Sequence, residues 1–125
     1  MRKQVHTKYL GFRTPGIRLV EPLLPNITGH SSEAELPLLY AYHMFDKAHL
    51  TMLAEENLIP RQDAVAMLKA LRDMEAKGVE KVRLEVEGGM HSGEQYLIRR
   101  LGEEVGGRIH LGRSSGDLNT TYRLM

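Results

Sequence analysis

Two apolar stripes with helical spacing, set a few residues apart, constrain this chain more than any other feature. Leu38, Tyr42, Phe45, His49 and Met52 recur at intervals of 4, 3, 4 and 3 residues, which places them on one side of an α-helix and on no single side of a strand. The spacing predicts a helix over about Leu36 to Glu56. Ser32 and Glu35 stand at capping-box distance, but Pro37 would then fall inside the helix and remove a backbone donor, so the start is expected nearer Pro37. After the break at Asn57-Leu58-Ile59, Pro60 occupies a position where a first helical residue tolerates the missing N–H. Ala64, Met67, Leu68, Leu71 and Met74 then form a second stripe up to Gly78. So short a connection predicts a helical hairpin whose two arms pack antiparallel with their stripes facing.

The flanking segments read differently. Residues 1–31 hold three of the five prolines, Pro15, Pro22 and Pro25, a density that interrupts regular structure and predicts an extended N-terminal arm. Ile17, Leu19, Leu23, Leu24 and Ile27 suit that arm to lie on another surface, of further chain or of a partner subunit. The expected organisation is therefore an arm over 1–31 and a helical domain over 32–125. Val82, Leu84 and Val86 alternate with charged residues in strand fashion, yet a lone strand has no mate here, so an extended connector is expected. Ser92, with Gln95 at capping-box distance, opens a third helix with Leu97, Ile98 and Leu101 as its apolar face, and Arg99, Arg100 and Gly102 stop it. A Gly-rich stretch, Gly106 to Gly116, leads into a last helix from about Asp117. A helix ending at Met125 is too short to persist alone in water, and the abrupt end reads as an incomplete domain.

Composition removes several functional classes. With 42% apolar and 26% charged residues in 125, the chain has the balance of one soluble folding unit. Its net charge of +1, with both signs interleaved, leaves no basic face for nucleic acid. No apolar run approaches the roughly 18 to 20 residues of a membrane helix, and no secretory signal follows Met1, so no membrane association and a cytoplasmic location are expected. Without cysteine there is neither a disulfide framework nor a thiolate metal site. The six histidines lack both His-x3-His spacing and a Glu-containing zinc motif, so no metal or other cofactor is expected.

The segment Gly106-Gly107-Arg108-Ile109-His110-Leu111-Gly112-Arg113-Ser114-Ser115-Gly116-Asp117 concentrates the chemistry. Glycines, hydroxyls and two arginines converge just before a helix, where unpaired backbone N–H groups favour a carboxylate or phosphate. The alternative is that Ser115 or Asp117 only caps the helix while the arginines are solvated. The Gly-Lys-Ser/Thr ending of a nucleotide P-loop is absent.

This segment resembles a run in argininosuccinate lyases, of the fumarase/aspartase superfamily, that reads Gly-Gly-Arg-Leu-His-Thr-Gly-Arg-Ser-Arg-Asn-Asp and begins a long helix. The match falls on Gly106, Gly107, Arg108, His110, Gly112, Arg113, Ser114 and Asp117. Upstream, Asp46-Lys47-Ala48-His49-Leu50-Thr51-Met52-Leu53-Ala54-Glu55 resembles the family's Ala-His-x-x-Met-Leu helix. Met90-His91, with Glu94 and Leu97, imperfectly resembles its Glu-Asp-x-His-x-x-x-Glu-x-x-Leu segment. Order and spacing agree over about residues 38 to 124. The chain departs where Ser115 and Gly116 replace the family's Arg and Asn, where Gly88-Gly89 replaces its Glu-Asp pair, and at Asp46, where Ser is common.

The resemblance implies a mainly α fold, the N-terminal helical domain of the lyase, truncated before the central helical bundle through which these enzymes form homotetramers. It implies a cofactor-free β-elimination from an amino-dicarboxylate with release of fumarate, in which a doubly negative intermediate is held by oriented donors. It points to Arg113, Ser114, Ser115, Asp117, His91 and His49 as substrate contacts. The family's Thr-His segment and Gly-Ser-Ser-x-Met-Pro loop, which supply acid and base groups, have no match here, so this chain alone is expected to be inactive. The competing expectations are a small helical anion-binding module and an oligomer-assembly element, neither of them catalytic.

Overall fold

The computed structural model describes residues 36–86 and 88–124. The expected arm over 1–31 and the Ser32–Glu35 capping box lie outside these residues. Among the described residues there are six α-helices, one 3-10 turn and no strand, and no helix is long and apolar enough to cross a membrane. Helix α1 spans Leu36–Glu55 and α2 spans Arg61–Lys77. The short α3 covers Val79–Glu85 and α4 covers Ser92–Leu101. A single turn of helix, α5 (Glu103–Gly106), runs into the 3-10 turn Gly107–His110, and α6 spans Ser115–Leu124.

Pro37 is tolerated at the second residue of α1 because the first-turn N–H groups have no intrahelical partner to lose. The other end closes as a Schellman motif. Asn57 takes a left-handed φ of 55°, its N–H donates to the Ala54 carbonyl at 3.2 Å, and the Leu58 N–H donates to the Leu53 carbonyl at 2.9 Å. Pro60 then precedes α2 directly, and α1 and α2 pack on each other as the sequence predicts.

The buried face of α1 is turned from the predicted stripe. Tyr42 and His49 are buried as expected, but Leu38 and Phe45 are half-buried and Met52 is exposed. Leu39, Ala41, His43, Asp46, Leu50 and Leu53 complete the true face. Two of these are polar, and a reading by apolar residues alone passes over them. On α2 the expected stripe holds, with Ala64, Met67, Leu71 and Met74 buried and Leu68 half-buried.

The extended connector expected over Val82 to Val86 is instead helix α3. Val82 and Val86 stand four apart and enter the main core, with Val79 packed beside them, whereas Leu84 is exposed. Helical spacing, not alternation, decides which residues are inside. In α4, Tyr96 and Leu97 are buried while Ile98 and Leu101 are half-buried. Ser92 does not act as a capping-box residue: the residue at the N-cap is His91, whose side chain makes no cap bond, and the Ser92 hydroxyl donates to the Gly89 carbonyl at 2.6 Å.

The main core gathers Leu50 and Leu53 of α1, Met67, Leu71 and Met74 of α2, Leu97 of α4 and Ile109 of the 3-10 turn. A smaller cluster of Leu39, Tyr42 and Leu118 joins α1 to α6. Gly106 allows α5 to lie on α4, because a Cβ there would come within 2.5 Å of the Ile98 nitrogen and 2.6 Å of the Leu97 carbonyl oxygen.

Two buried histidines of α1 make this fold acid-sensitive. His43 is fully buried and its Nε2 lies 2.9 Å from Glu75 Oε1, which also accepts from Lys47 Nζ at 2.6 Å. Burial lowers the pKa of His43, outweighing the pull of Glu75, and burial likewise lowers that of His49. The unfolded chain, with histidines near about 6.5, then binds more protons than the native state just below that pH. Stability contributed by neutral His43 and His49 is full above about pH 6.5 and declines as pH falls below it. Denaturant midpoints measured from pH 8 to pH 5 should fall on acidification, and the fall should be shallower in His43→Gln.

Candidate functional site

The site grows from one buried carboxylate. Asp46, on α1, is fully buried and accepts from two guanidinium groups: Arg83 Nη2 at its Oδ2, and Arg113 Nη1 at its Oδ1 at 2.6 Å. Arg83 is also fully buried and its Nη1 donates to Ser92 Oγ at 3.1 Å. This ties α1, α3, the start of α4 and the turn before α6 to a single point. Two cations face one anion, so the cluster carries a positive excess in surroundings of low dielectric. The Arg113 side chain is 1% exposed, yet its Nε and Nη2 have no hydrogen-bond partner among the described residues. Buried donors left in this state are costly and favour an anionic acceptor.

Phe45 supports Arg113 from below, with the guanidinium 5.7 Å from the ring centroid. The same ring stacks on His49 at 5.8 Å and 8°. His49 Nε2 lies 2.9 Å from the Leu111 carbonyl oxygen, to which its N–H donates. His49 therefore holds the turn that carries Arg113.

Helix α6 begins two residues earlier than the expected Asp117, at Ser115. Asp117 Oδ2 accepts the Ser114 N–H at 2.7 Å and the Ser114 hydroxyl at 3.2 Å. The Ser114 backbone bond, more than any other cause, lowers the Asp117 pKa. Ser114 and Asp117 thus satisfy each other at the helix start.

On the other flank, His91 Nε2 lies 2.9 Å from Ser115 Oγ. His91 Nδ1 is 3.7 Å from Glu94 Oε2, and the same oxygen is 2.9 Å from His110 Nδ1. Burial raises the Glu94 pKa, but the hydrogen bonds and charges of His91 and His110 outweigh it and leave it lowered. The arrangement sets guanidinium donors without a partner among the described residues at the Arg113–Ser115 turn, and two imidazoles and one carboxylate beside it. The open groove lined by Glu103, Glu104, Arg108 and His110 carries two carboxylates, a poor seat for an anion.

Of the six predicted contacts, Arg113, Ser114, Ser115 and Asp117 form one continuous turn and helix start, His91 meets Ser115, and His49 reaches the turn through Leu111. The sequence offered no role for Arg83. Its segment alternates apolar with charged residues, and nothing local distinguishes Arg83 from the charged neighbours that stay outside.

Gly93 is required by this site. A Cβ there would overlap Asp46 Oδ2 and come within 2.7 Å of Arg83 Nη2. Gly93→Ala should destabilise the chain by about 1–3 kcal/mol, as overpacking does. Gly107→Ala, where a Cβ meets nothing within 4 Å among the described residues, should change stability by no more than about 0.5 kcal/mol. Urea denaturation of the two variants measures both.

No family model matches the chain, and no solved structure matches it. Curated relatives do. The argininosuccinate lyase of Methanosarcina barkeri is 39% identical over 96 residues, covering 76% of this chain and 20% of the relative. That of Methanothrix thermoacetophila is 40% identical over 87 residues, 70% of this chain and 18% of the relative. That of Methanocaldococcus jannaschii is 39% identical over 74 residues, 58% of this chain and 15% of the relative. This chain is thus argininosuccinate lyase-like, helical throughout its described elements, and spans at most 20% of the length of these relatives.

Proposed function

We propose that this chain is part of a carbon–nitrogen lyase that eliminates across a Cα–Cβ bond of an argininosuccinate-like amino-dicarboxylate and releases fumarate. The similarity to argininosuccinate lyases supports the reaction class. The observation that carries the site assignment is Arg113, a buried guanidinium with two donor atoms that have no partner among the described residues, beside the first turn of α6. In the elimination, a base removes the proton next to a carboxylate, the electron pair is held as an aci-carboxylate, and an acid protonates the departing nitrogen. Arg113 and the α6 N-terminus would hold the doubly charged carboxylate, where preorganised donors act most strongly. Ser114, Ser115, His91 and His49 would orient the substrate, and Asp117 would release Ser114 to it. The proposed reaction calls for no cofactor.

The acid and base groups would come from segments outside this sequence, in a cytoplasmic homotetramer whose sites are shared between subunits. The 125-residue chain alone would then be inactive. Ser115 and Gly116, in place of the Arg and Asn of the family run, favour a dicarboxylate other than argininosuccinate itself. A second reading, a non-catalytic anion-binding or assembly module, draws on the closed Ser114–Asp117 pair, which caps α6 without any ligand.

The full-length natural protein should release fumarate from an amino-dicarboxylate, followed by ultraviolet absorbance. Arg113→Gln should lower kcat/KM by about 100-fold, the scale of removing one oriented donor. A full-length protein that binds succinate or fumarate without turning over any amino-dicarboxylate would replace the lyase reading with the binding module.

A further inference from the structure

We propose that His91, Glu94 and His110 form a seat for one divalent transition cation of the zinc type, beside the Arg113–Ser115 turn. One ligand atom from each residue lies within 4.8 Å of the other two. Glu94 Oε2 stands 2.9 Å from His110 Nδ1 and 3.7 Å from His91 Nδ1. Neighbouring ligands on a tetrahedral cation with bonds of about 2.0–2.1 Å are about 3.3–3.4 Å apart. The two distances straddle that value, and the two imidazole nitrogens, within 4.8 Å of each other, must close toward it as the rings turn onto the cation. The His91 and His110 rings lie 5.9 Å apart at 47°, so they converge on the carboxylate instead of stacking. Two imidazoles with one carboxylate is a donor set that zinc and its neighbours accept, leaving a position open for water or an anion.

The surroundings suit the role. His91 turns Nδ1 toward Glu94 while its Nε2 engages Ser115 Oγ at 2.9 Å, and a ligating histidine ordinarily donates its second nitrogen to such an oxygen, which fixes the ring and its tautomer. Glu94 is 6% exposed, so its position is set by packing in α4. With the cation bound, His110 carries its proton on Nε2, and the Nδ1–H···O bond to Glu94 is replaced by two bonds to the metal. The ligands come from the start of α4 and from the end of the 3-10 turn. A cation would therefore clamp the 111–114 turn onto α4 and set positive charge beside Ser115. The sequence conceals this site, because His91 and Glu94 are near neighbours but His110 lies far along the chain outside any zinc motif.

The test needs no turnover, so its outcome is separate from the fate of the lyase reading. The purified full-length protein is stripped with a chelator and titrated with Co2+ alone, then with Zn2+. One equivalent of Co2+ should produce the visible d–d bands of a low-coordinate nitrogen–oxygen site, one equivalent of Zn2+ should bleach them, and Zn2+ should raise Tm. Glu94→Gln and His110→Gln should each weaken Zn2+ binding by at least about tenfold. Absence of d–d bands in the unmodified protein at excess Co2+ overturns the proposal whether or not the variants fold. Unchanged affinity in either folded variant also overturns it, since the metal would then sit elsewhere.

Discussion

The ion pair of Asp46 with Arg113 holds a turn that the main apolar core does not reach, and the pair with Arg83 brings α3 to the same carboxylate. The main core joins α1, α2, α3, α4 and the 3-10 turn, but the turn before α6 carries little apolar surface, with Leu111 exposed. That turn is held by Arg113 on Asp46 and by the Leu111 carbonyl on His49. Both anchoring residues sit on the buried face of α1. A buried ion cluster is seldom the most stabilising filling for its volume, since desolvation offsets much of the attraction. Its value here is positional: it fixes a guanidinium just before a helix N-terminus, with two donor atoms uncommitted among the described residues.

The same helix start is held by a second polar group. His91 engages Ser115, and Glu94 lies against both His91 and His110. A cationic cluster meets the turn through Arg113, and a carboxylate–imidazole cluster meets it through Ser115. The turn between them, Gly112 to Ser115, is short and ordered chiefly by polar contacts. Such a turn can shift by small amounts when a charged ligand arrives, because few apolar contacts oppose the movement. The closed Ser114–Asp117 pair is the contact that an incoming carboxylate would have to exchange.

How much of this was legible in the sequence follows from the length of each signal. Helix α1 runs 20 residues and α2 runs 17, long enough for their periods to stand clear of alternation, and Pro60 marks the second start. The seven residues of α3 carry no such margin, because Val82, Leu84 and Val86 suit a strand as well as they suit part of a helix. The turn of Arg113 and Ser114 was legible because glycines, hydroxyls and cations crowd into one segment. Its partners were not. Asp46 and Arg83 are 37 positions apart, and nothing local indicates that two charged side chains share one buried site. The rotation of the buried face of α1 has the same origin, since it is set by His43 and Asp46, whose burial depends on distant partners.

A double-mutant cycle on Asp46→Asn and Arg113→Met, read by urea denaturation, tests most directly the claim that this ion pair pins the α6 turn to α1. Removing one partner of a buried pair costs about 3–5 kcal/mol, much of it from the charge left behind. The account predicts that the double variant loses less than the sum of the single losses, by at least about 1 kcal/mol. Strict additivity, with no coupling between the two positions, would contradict it.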